Sequence, residues 1–160
     1  MKKMIFSLLT LVLMISSVES GDNKSPFIPK IDFAQEYVII KKFEYATPPD
    51  KKGLEVTIYS KKSITFEQRA QTAINAAINI LKDEDLYEVI IKMSASSNIK
   101  KFNLLAYVEY TPHKKNTWGM NTNHTWSVKA SDDIIKNGQL IEKGKVYPLS
   151  YIYLKKYLKK

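Results

Sequence analysis

The sequence predicts an α+β fold, with an antiparallel sheet of about five strands in the order ββαβββ and one long amphipathic helix packed on one face. Three observations carry this reading. Residues 37–45 and 54–59 are strand-like runs on either side of a proline- and glycine-containing turn. Residues 65–82 repeat apolar side chains at three- and four-residue steps. Three more strand-like runs follow, with no second helix of that length between them. A helix laid across one face of an antiparallel sheet is the economical way to bury such a set.

Taken in order, residues 21–34 contain Gly21, Pro26 and Pro29 and read as an extended lead-in. Tyr37-Val38-Ile39-Ile40-Lys41-Lys42-Phe43-Glu44-Tyr45 is β-branched and aromatic. It stops at Thr47-Pro48-Pro49-Asp50-Lys51-Lys52-Gly53, which is rich in turn residues. Leu54, Val56 and Ile58 then alternate with Glu55, Thr57 and Tyr59, so the two runs pair as an antiparallel hairpin.

Ser63 or Thr65 can cap the helix, and Glu67 and Gln68 lie in its first turn, where a carboxylate suits the dipole. Phe66, Ala70, Ala73, Ile74, Ala77, Ile78 and Leu81 form one stripe. Its alanines favour the helix and let it lie close to a sheet. Asp83-Glu84-Asp85 ends it. Residues 87–95, 102–110 and 125–130 supply the third, fourth and fifth strands. Val89, Ile91 and Met93, then Leu104, Ala106, Val108 and Tyr110, then Trp126, Val128 and Ala130 point inward. The opposite face is expected to carry Lys42, Glu44, Glu55, Thr57, Lys92, Ser127 and Lys129, either solvated or as a binding surface. The domain is thus expected over residues 35–131. Residues 132–160 read as a basic extension with turn signals at Asn137-Gly138 and Lys143-Gly144, and Pro148 is placed to start a short helix.

Residues 1–20 have the layout of a secretory signal. Lys2 and Lys3 precede an apolar stretch, and Val18-Glu19-Ser20 places small residues at the positions read for cleavage before Gly21. The apolar run is shorter than the ~20 residues of a membrane-spanning helix. The expectation is an exported chain, periplasmic or secreted. About 140 residues then remain, enough for one domain with a real core. Cysteine is absent, so stability must come from packing, and thiol catalysis and cysteine–metal sites are excluded.

The formal net charge is +9, supplied almost wholly by lysine, with Arg69 the single arginine. Nucleic-acid readers lean on the planar arginine fork, so a specific nucleic-acid partner is not expected. An anionic envelope surface or another exported protein fits the charge and the address better.

Unusual residues converge between 110 and 126. His113, Lys114, Lys115, Trp118, His124 and Trp126 are the candidate binding residues, and Lys155, Lys156, Lys159 and Lys160 the candidate membrane or polyanion contacts. Two histidines and a lysine are the groups that acid–base phosphodiester cleavage needs. The histidines are far apart in sequence, however, and no serine–acid pair completes a hydrolase set, so no catalytic residue is assigned. A zinc site wants three or four ligands, and Glu109 is the nearest acid, so no metal is assigned either. With five glycines and no phosphate-binding or dinucleotide fingerprint, no cofactor is called for.

Ala106-Tyr107-Val108-Glu109-Tyr110-Thr111-Pro112, then Trp118-Gly119, then Thr125-Trp126-Ser127-Val128-Lys129-Ala130-Ser131-Asp132, resemble a bacterial family known as domain of unknown function 4875. Glu67-Gln68-Arg69-Ala70-Gln71-Thr72-Ala73 has the same texture. The resemblance covers roughly Tyr37 to Asp132 and departs after Pro112, where His113-Lys114-Lys115-Asn116 replaces an acidic, glycine-containing turn. It implies a small bacterial α+β domain and no particular activity. The expected function is therefore a non-enzymatic binding or accessory protein of the cell envelope. The alternatives are a small secreted hydrolase or toxin-like nuclease using His113 and His124, and a membrane-surface or polyanion-associated protein acting through its lysines and C-terminal tail.

Overall fold

A computed structural model describes residues 31–47, 51–111 and 126–148. The leader at 1–20, most of the lead-in, the prolines of the first turn and the helix expected after Pro148 lie outside these residues. Strand β1 spans Val38–Thr47 and β2 Lys51–Tyr59; helix α1 spans Phe66–Asp83 and β3 Glu88–Ser94. A short 3-10 turn at Ile99–Lys101 precedes β4 (Leu104–Tyr110). Then come β5 (Trp126–Ser131), β6 (Ile134–Lys136), β7 (Gln139–Glu142) and β8 (Val146–Pro148).

Six strands form one sheet in the order β1-β2-β3-β4-β5-β8, and β6 and β7 make a separate two-stranded ribbon. The sheet is mostly antiparallel, as the sequence suggests. One seam differs, because β2 and β3 run parallel. The cause lies in the connection between them: α1 carries the chain back along the length of the sheet, so β3 starts at the same end as β2. The sheet also continues into the region beyond residue 131, since β8 pairs antiparallel with β5 through Lys129–Pro148, Ala130–Tyr147 and Ser131–Val146.

The helix begins as its sequence dictates. Thr65 is the N-cap, its hydroxyl accepts from the Gln68 amide at 3.2 Å, and the Gln68 side chain accepts from the Thr65 amide at 3.2 Å. This reciprocal box satisfies two donors that the first turn would otherwise leave orphaned. The helix packs mainly on β3, β4 and β5. Ala70, Ala73, Ile74 and Ala77 meet Val56, Val89, Ile91 and Val108 in a sealed core. Truncating a buried Ile or Leu in such a core costs ~2–5 kcal/mol.

Two further buried positions, Gln71 and Thr72, lie off that stripe. They are covered because the lead-in crosses the helix there: the Phe33 amide donates to Gln71 Oε1 at 2.6 Å and the Gln35 amide to Thr72 Oγ1 at 2.8 Å.

The single arginine is buried at the start of the helix, with 2% of its surface exposed. Its guanidinium group donates to the carbonyl oxygens of Ser63 at 3.2 Å, Ser131 at 2.6 Å and Asp133 at 2.8 Å. Burial pulls the Arg69 pKa down, while the charges of Asp133 and Asp132 oppose the fall. Arg69 therefore ties the loop before α1 to the end of β5. From there Asp132 and Asp133 organise the return of the chain. Asp133 accepts from the Gly144 amide at 2.7 Å; Asp132 accepts from the Lys145 amide at 2.5 Å and from the Tyr147 hydroxyl at 2.9 Å. Asn137 and Gly138, both at positive φ (51° and 69°), make the tight turn between β6 and β7 that an Asn-Gly pair favours.

Sequence periodicity places Lys42 and Glu44 on the face away from the helix, and the register corrects this. Ile39 pairs with Ile58 but Lys41 with Thr57, so Ile40 is an extra residue in β1. Such a bulge shifts the alternation by one. Lys42 then stands opposite Val56 and Glu44 opposite Leu54, on the helix side. There Lys52 bridges Glu44 at 3.3 Å and Glu84, the C-cap of the helix, at 2.7 Å.

Two outcomes are expected. Arg69→Ala leaves three carbonyls short of a charged donor and should cost roughly 3 kcal/mol or more in denaturant titrations. Arg69→Lys, which lacks the planar fork, should recover only part of the loss. The Asp132 carboxyl is held below its ordinary value, chiefly by the Tyr147 hydroxyl. A depressed carboxylate stabilises the fold above its unfolded pKa and loses that effect as pH falls through the folded value. Asp132→Asn should therefore be less stable than the parent above about pH 4, and the difference should shrink in stronger acid.

Candidate functional site

The side of the sheet that α1 does not cover presents the odd-numbered residues of β1 from Lys41 on, of β2, of β4 from Tyr107 on and of β5, and the even-numbered residues of β3. The register aligns them in rows. Phe43, Glu55, Ile90, Glu109 and Ser127 form one row, and Lys41, Thr57, Lys92, Tyr107 and Lys129 the next. Glu55, Thr57, Lys92, Ser127 and Lys129 thus stand on the face that alternation predicts.

Beside the first row lie Tyr45, Gly53 and Glu88. Gly53 has no side chain, and a Cβ built there would overlap the Tyr45 ring. The ring therefore lies across β2, and its hydroxyl reaches β3 to donate to Glu88 Oε2 at 2.6 Å. Glu88 is only 2% exposed. Phe43 stacks beside Tyr45 with ring centroids 6.2 Å apart. One strand further on, the Tyr107 hydroxyl donates to Glu109 Oε2 at 3.0 Å. Lys92 bridges Glu55 at 2.7 Å.

On this face three carboxylates and the phenols of Tyr45 and Tyr107 thus surround one paired lysine. Both phenols are pushed above the ordinary tyrosine range. For Tyr45 the cause is burial first and the hydrogen bond to Glu88 second; for Tyr107 it is burial first and the Glu109 charge second. They stay protonated at neutral pH and act as fixed donors that position the carboxylates.

Between β4, β5 and β8 the same face sinks into a groove of about 360 Å³. Leu104, Leu105, Ala130 and Val146 supply apolar wall, and Tyr107, Glu109, Ser127, Lys129 and Ser131 the polar groups. A second bulge opens it: Met93 pairs with Ala106 and Ser94 with Leu104, leaving Leu105 as the extra residue. Leu104 and Val146 remain 45% and 61% exposed at its rim. A concave apolar trough with a few converging polar groups is the usual form of a small-ligand site.

Of the candidates named from sequence, only Trp126 lies within the described residues. It is 3% exposed and packs against Tyr110 with the rings tilted by 39° and their centroids 4.2 Å apart, on the helix side of the sheet. His113, Lys114, Lys115, Trp118, His124, Lys155, Lys156, Lys159 and Lys160 lie outside the described residues. The sequence pattern does not single out Tyr45, Glu88, Tyr107 or Ser131, and it offers Glu109 only as an acid near the histidines. Tyr107 and Glu109 alternate with the inward Ala106 and Val108, and that signal was available. Among the described residues no group of three or more histidine, aspartate or glutamate side chains is placed to hold a metal ion. No described helix is long and apolar enough to cross a membrane.

The Tyr45 geometry gives a direct test. Gly53→Ala should lift the ring from β2 and break its bond to Glu88, costing about 1–3 kcal/mol. The raised phenols also set an alkaline limit. Their contribution to stability is present below the unfolded tyrosine pKa of about 10 and is lost as pH rises through the folded values. Tyr45→Phe and Tyr107→Phe should each flatten the fall in stability above that pH.

No curated protein matches the chain. Among solved structures, it is similar to the crystal structure of a DUF487 family protein from Desulfovibrio piger ATCC 29098, with a TM-score of 0.54 and 22% identity. That similarity covers 62% of this chain and 64% of the other, less than two thirds of its length, and it extends to the fold alone. Residues 32–160 match the family model described as Domain of unknown function (DUF4875), so the match runs past Asp132 to the last residue of the sequence. The chain belongs to the DUF4875 family.

Proposed function

We propose that this chain is an exported, non-enzymatic binding or accessory domain of the cell envelope that works through the open face of its sheet. The observation that carries the binding part is the groove between β4, β5 and β8, with its apolar rim and the fixed tyrosine–carboxylate pairs beside it. Such a surface offers recognition, because its phenols are locked as donors and its carboxylates are already engaged. The envelope part rests on the signal-like layout of residues 1–20 and on a cysteine-free, lysine-rich composition. Another exported protein, or an anionic component of the envelope, is the partner this charge suits.

Expression of the full sequence in a bacterial host, followed by fractionation and intact-mass measurement, tests the address. The expected product begins at Gly21 and is found outside the cytoplasm; a cytoplasmic product that keeps its leader overturns it. Tyr107→Ala tests the surface: at temperatures below its own thermal transition, where the variant is still folded, it should weaken partner binding several-fold.

A further inference from the structure

β5 presents Ser127, Lys129 and Ser131 at alternate positions into the groove, and the three differ in what they already bond. The Lys129 side chain makes no ion pair or hydrogen bond among the described residues, although Lys52, Lys62 and Lys92 on the same domain are each bridged to a glutamate. Ser131 is more telling. It is 3% exposed, and its hydroxyl is buried without a hydrogen-bond partner among the described residues. A buried hydroxyl left unsatisfied costs about 1–3 kcal/mol, so it is a group that an occupant of the groove would complete. The Ser131 backbone is fixed from behind, because its carbonyl accepts from Arg69 at 2.6 Å. The hydroxyl is thus held by a rigid element.

We infer that the groove is a binding site for a small-molecule carboxylate with an aliphatic body. The ammonium group of Lys129 and the hydroxyl of Ser131 would take the carboxylate, and Leu104, Leu105 and Val146 would cover the body. Glu109 sits at the Ser127 end of the groove and repels an anion there, which directs the carboxylate toward Ser131. The volume of about 360 Å³ lies near the lower end of the ~300–1,000 Å³ range of small-ligand sites, so the ligand is compact. The inference rests on reading the open face as a binding surface and names the chemistry of one part of it.

The probes are octanoate, 1-octanol and octylamine, which share a body and differ in headgroup, titrated into the folded chain and followed by nuclear magnetic resonance. Octanoate should saturate, shifting the resonances of Leu104, Leu105, Ser131 and Val146. It should bind at least several-fold more tightly than octanol and more tightly still than octylamine. Lys129→Met should remove the preference for octanoate over octanol. Ser131→Ala gives a readout that a merely structural residue would not. It should leave the stability of the free protein unchanged or raised, because the hydroxyl has no partner to lose, yet weaken octanoate several-fold. Equal binding of all three probes, tighter binding of octylamine, or full octanoate affinity in Ser131→Ala would each overturn the assignment. A chain that is exported and binds a macromolecular partner through Tyr107, but does not select octanoate, keeps the broader function and loses this one.

Discussion

The buried guanidinium group of Arg69 is the constraint on which the rest of the molecule hangs. One side chain reaches three carbonyl oxygens from two distant stretches, the loop before the helix and the end of β5. A buried charge must be fully hydrogen-bonded to be tolerated, so each of these acceptors is held in place as firmly as the arginine itself. That fixes where β5 stops and where the chain turns toward β8. The aspartates that follow extend the arrangement by anchoring Gly144, Lys145 and Tyr147. Tyr147 in turn stacks on Phe66, the first residue of the helix, at 4.6 Å between ring centroids. The wall of the groove formed by β8 is thus tied back to the same helix end that the arginine holds. An interior contact on the helix side of the sheet shapes a surface on the other side.

The two faces of the sheet divide the work differently. The helix side is closed by small and branched residues, with Leu54, Val56, Ile74, Val89 and Ile91 fully sealed. The open side has no helix to cover it, yet Glu88 and Thr57 on it are nearly inaccessible. What covers Glu88 is an aromatic ring lying flat over a glycine, a device that uses the absence of a side chain in one strand to let its neighbours on either side bond each other. The result is a hydrogen-bonded polar layer between β1 and β4, beside an apolar trough between β4 and β8. Fixed donors next to an apolar wall suit recognition, where orientation comes from the first and affinity from the second.

Much of the fold was legible in the sequence because its periodicities are clean. The helix stripe from Phe66 to Leu81, the alternation of Leu54, Val56 and Ile58, and the inward set Trp126, Val128 and Ala130 all report one face each, and the structure buries the same residues, with Phe66, Ile78 and Leu81 half-buried at the edge of the core. The Asn137-Gly138 turn was readable from its residue types alone. What escaped was whatever depends on counting across strands. A bulge adds a residue without changing composition, so nothing in the run Val38–Tyr45 distinguishes Ile40 as the extra one. The parallel seam was hidden for a related reason, since periodicity tells which way a side chain faces and not which way its strand runs. The site was less legible still. Tyr45 and Glu88 are 43 residues apart, and their bond depends on the missing side chain of a third residue. The hydroxyl of Ser131 looks like any other serine until its surroundings are known.

The bulge at Ile40 has a bearing on how this surface can change over evolutionary time. Everything in β1 beyond Ile40 owes its side of the sheet to a count of residues. Let Ile40 take the place opposite Thr57, with no change of length, and Phe43 and Tyr45 pass to the helix side while Lys42 and Glu44 take their places. Substitutions along β1 therefore edit the aromatic floor one side chain at a time. Loss of the bulge at constant length exchanges it wholesale for a charged one and sends two aromatic rings toward the helix, whereas deleting Ile40 itself leaves Lys41 opposite Thr57 and the floor in place. Lineages that keep this surface are free to vary its letters, and bound either to keep the bulge or to lose its extra residue along with it.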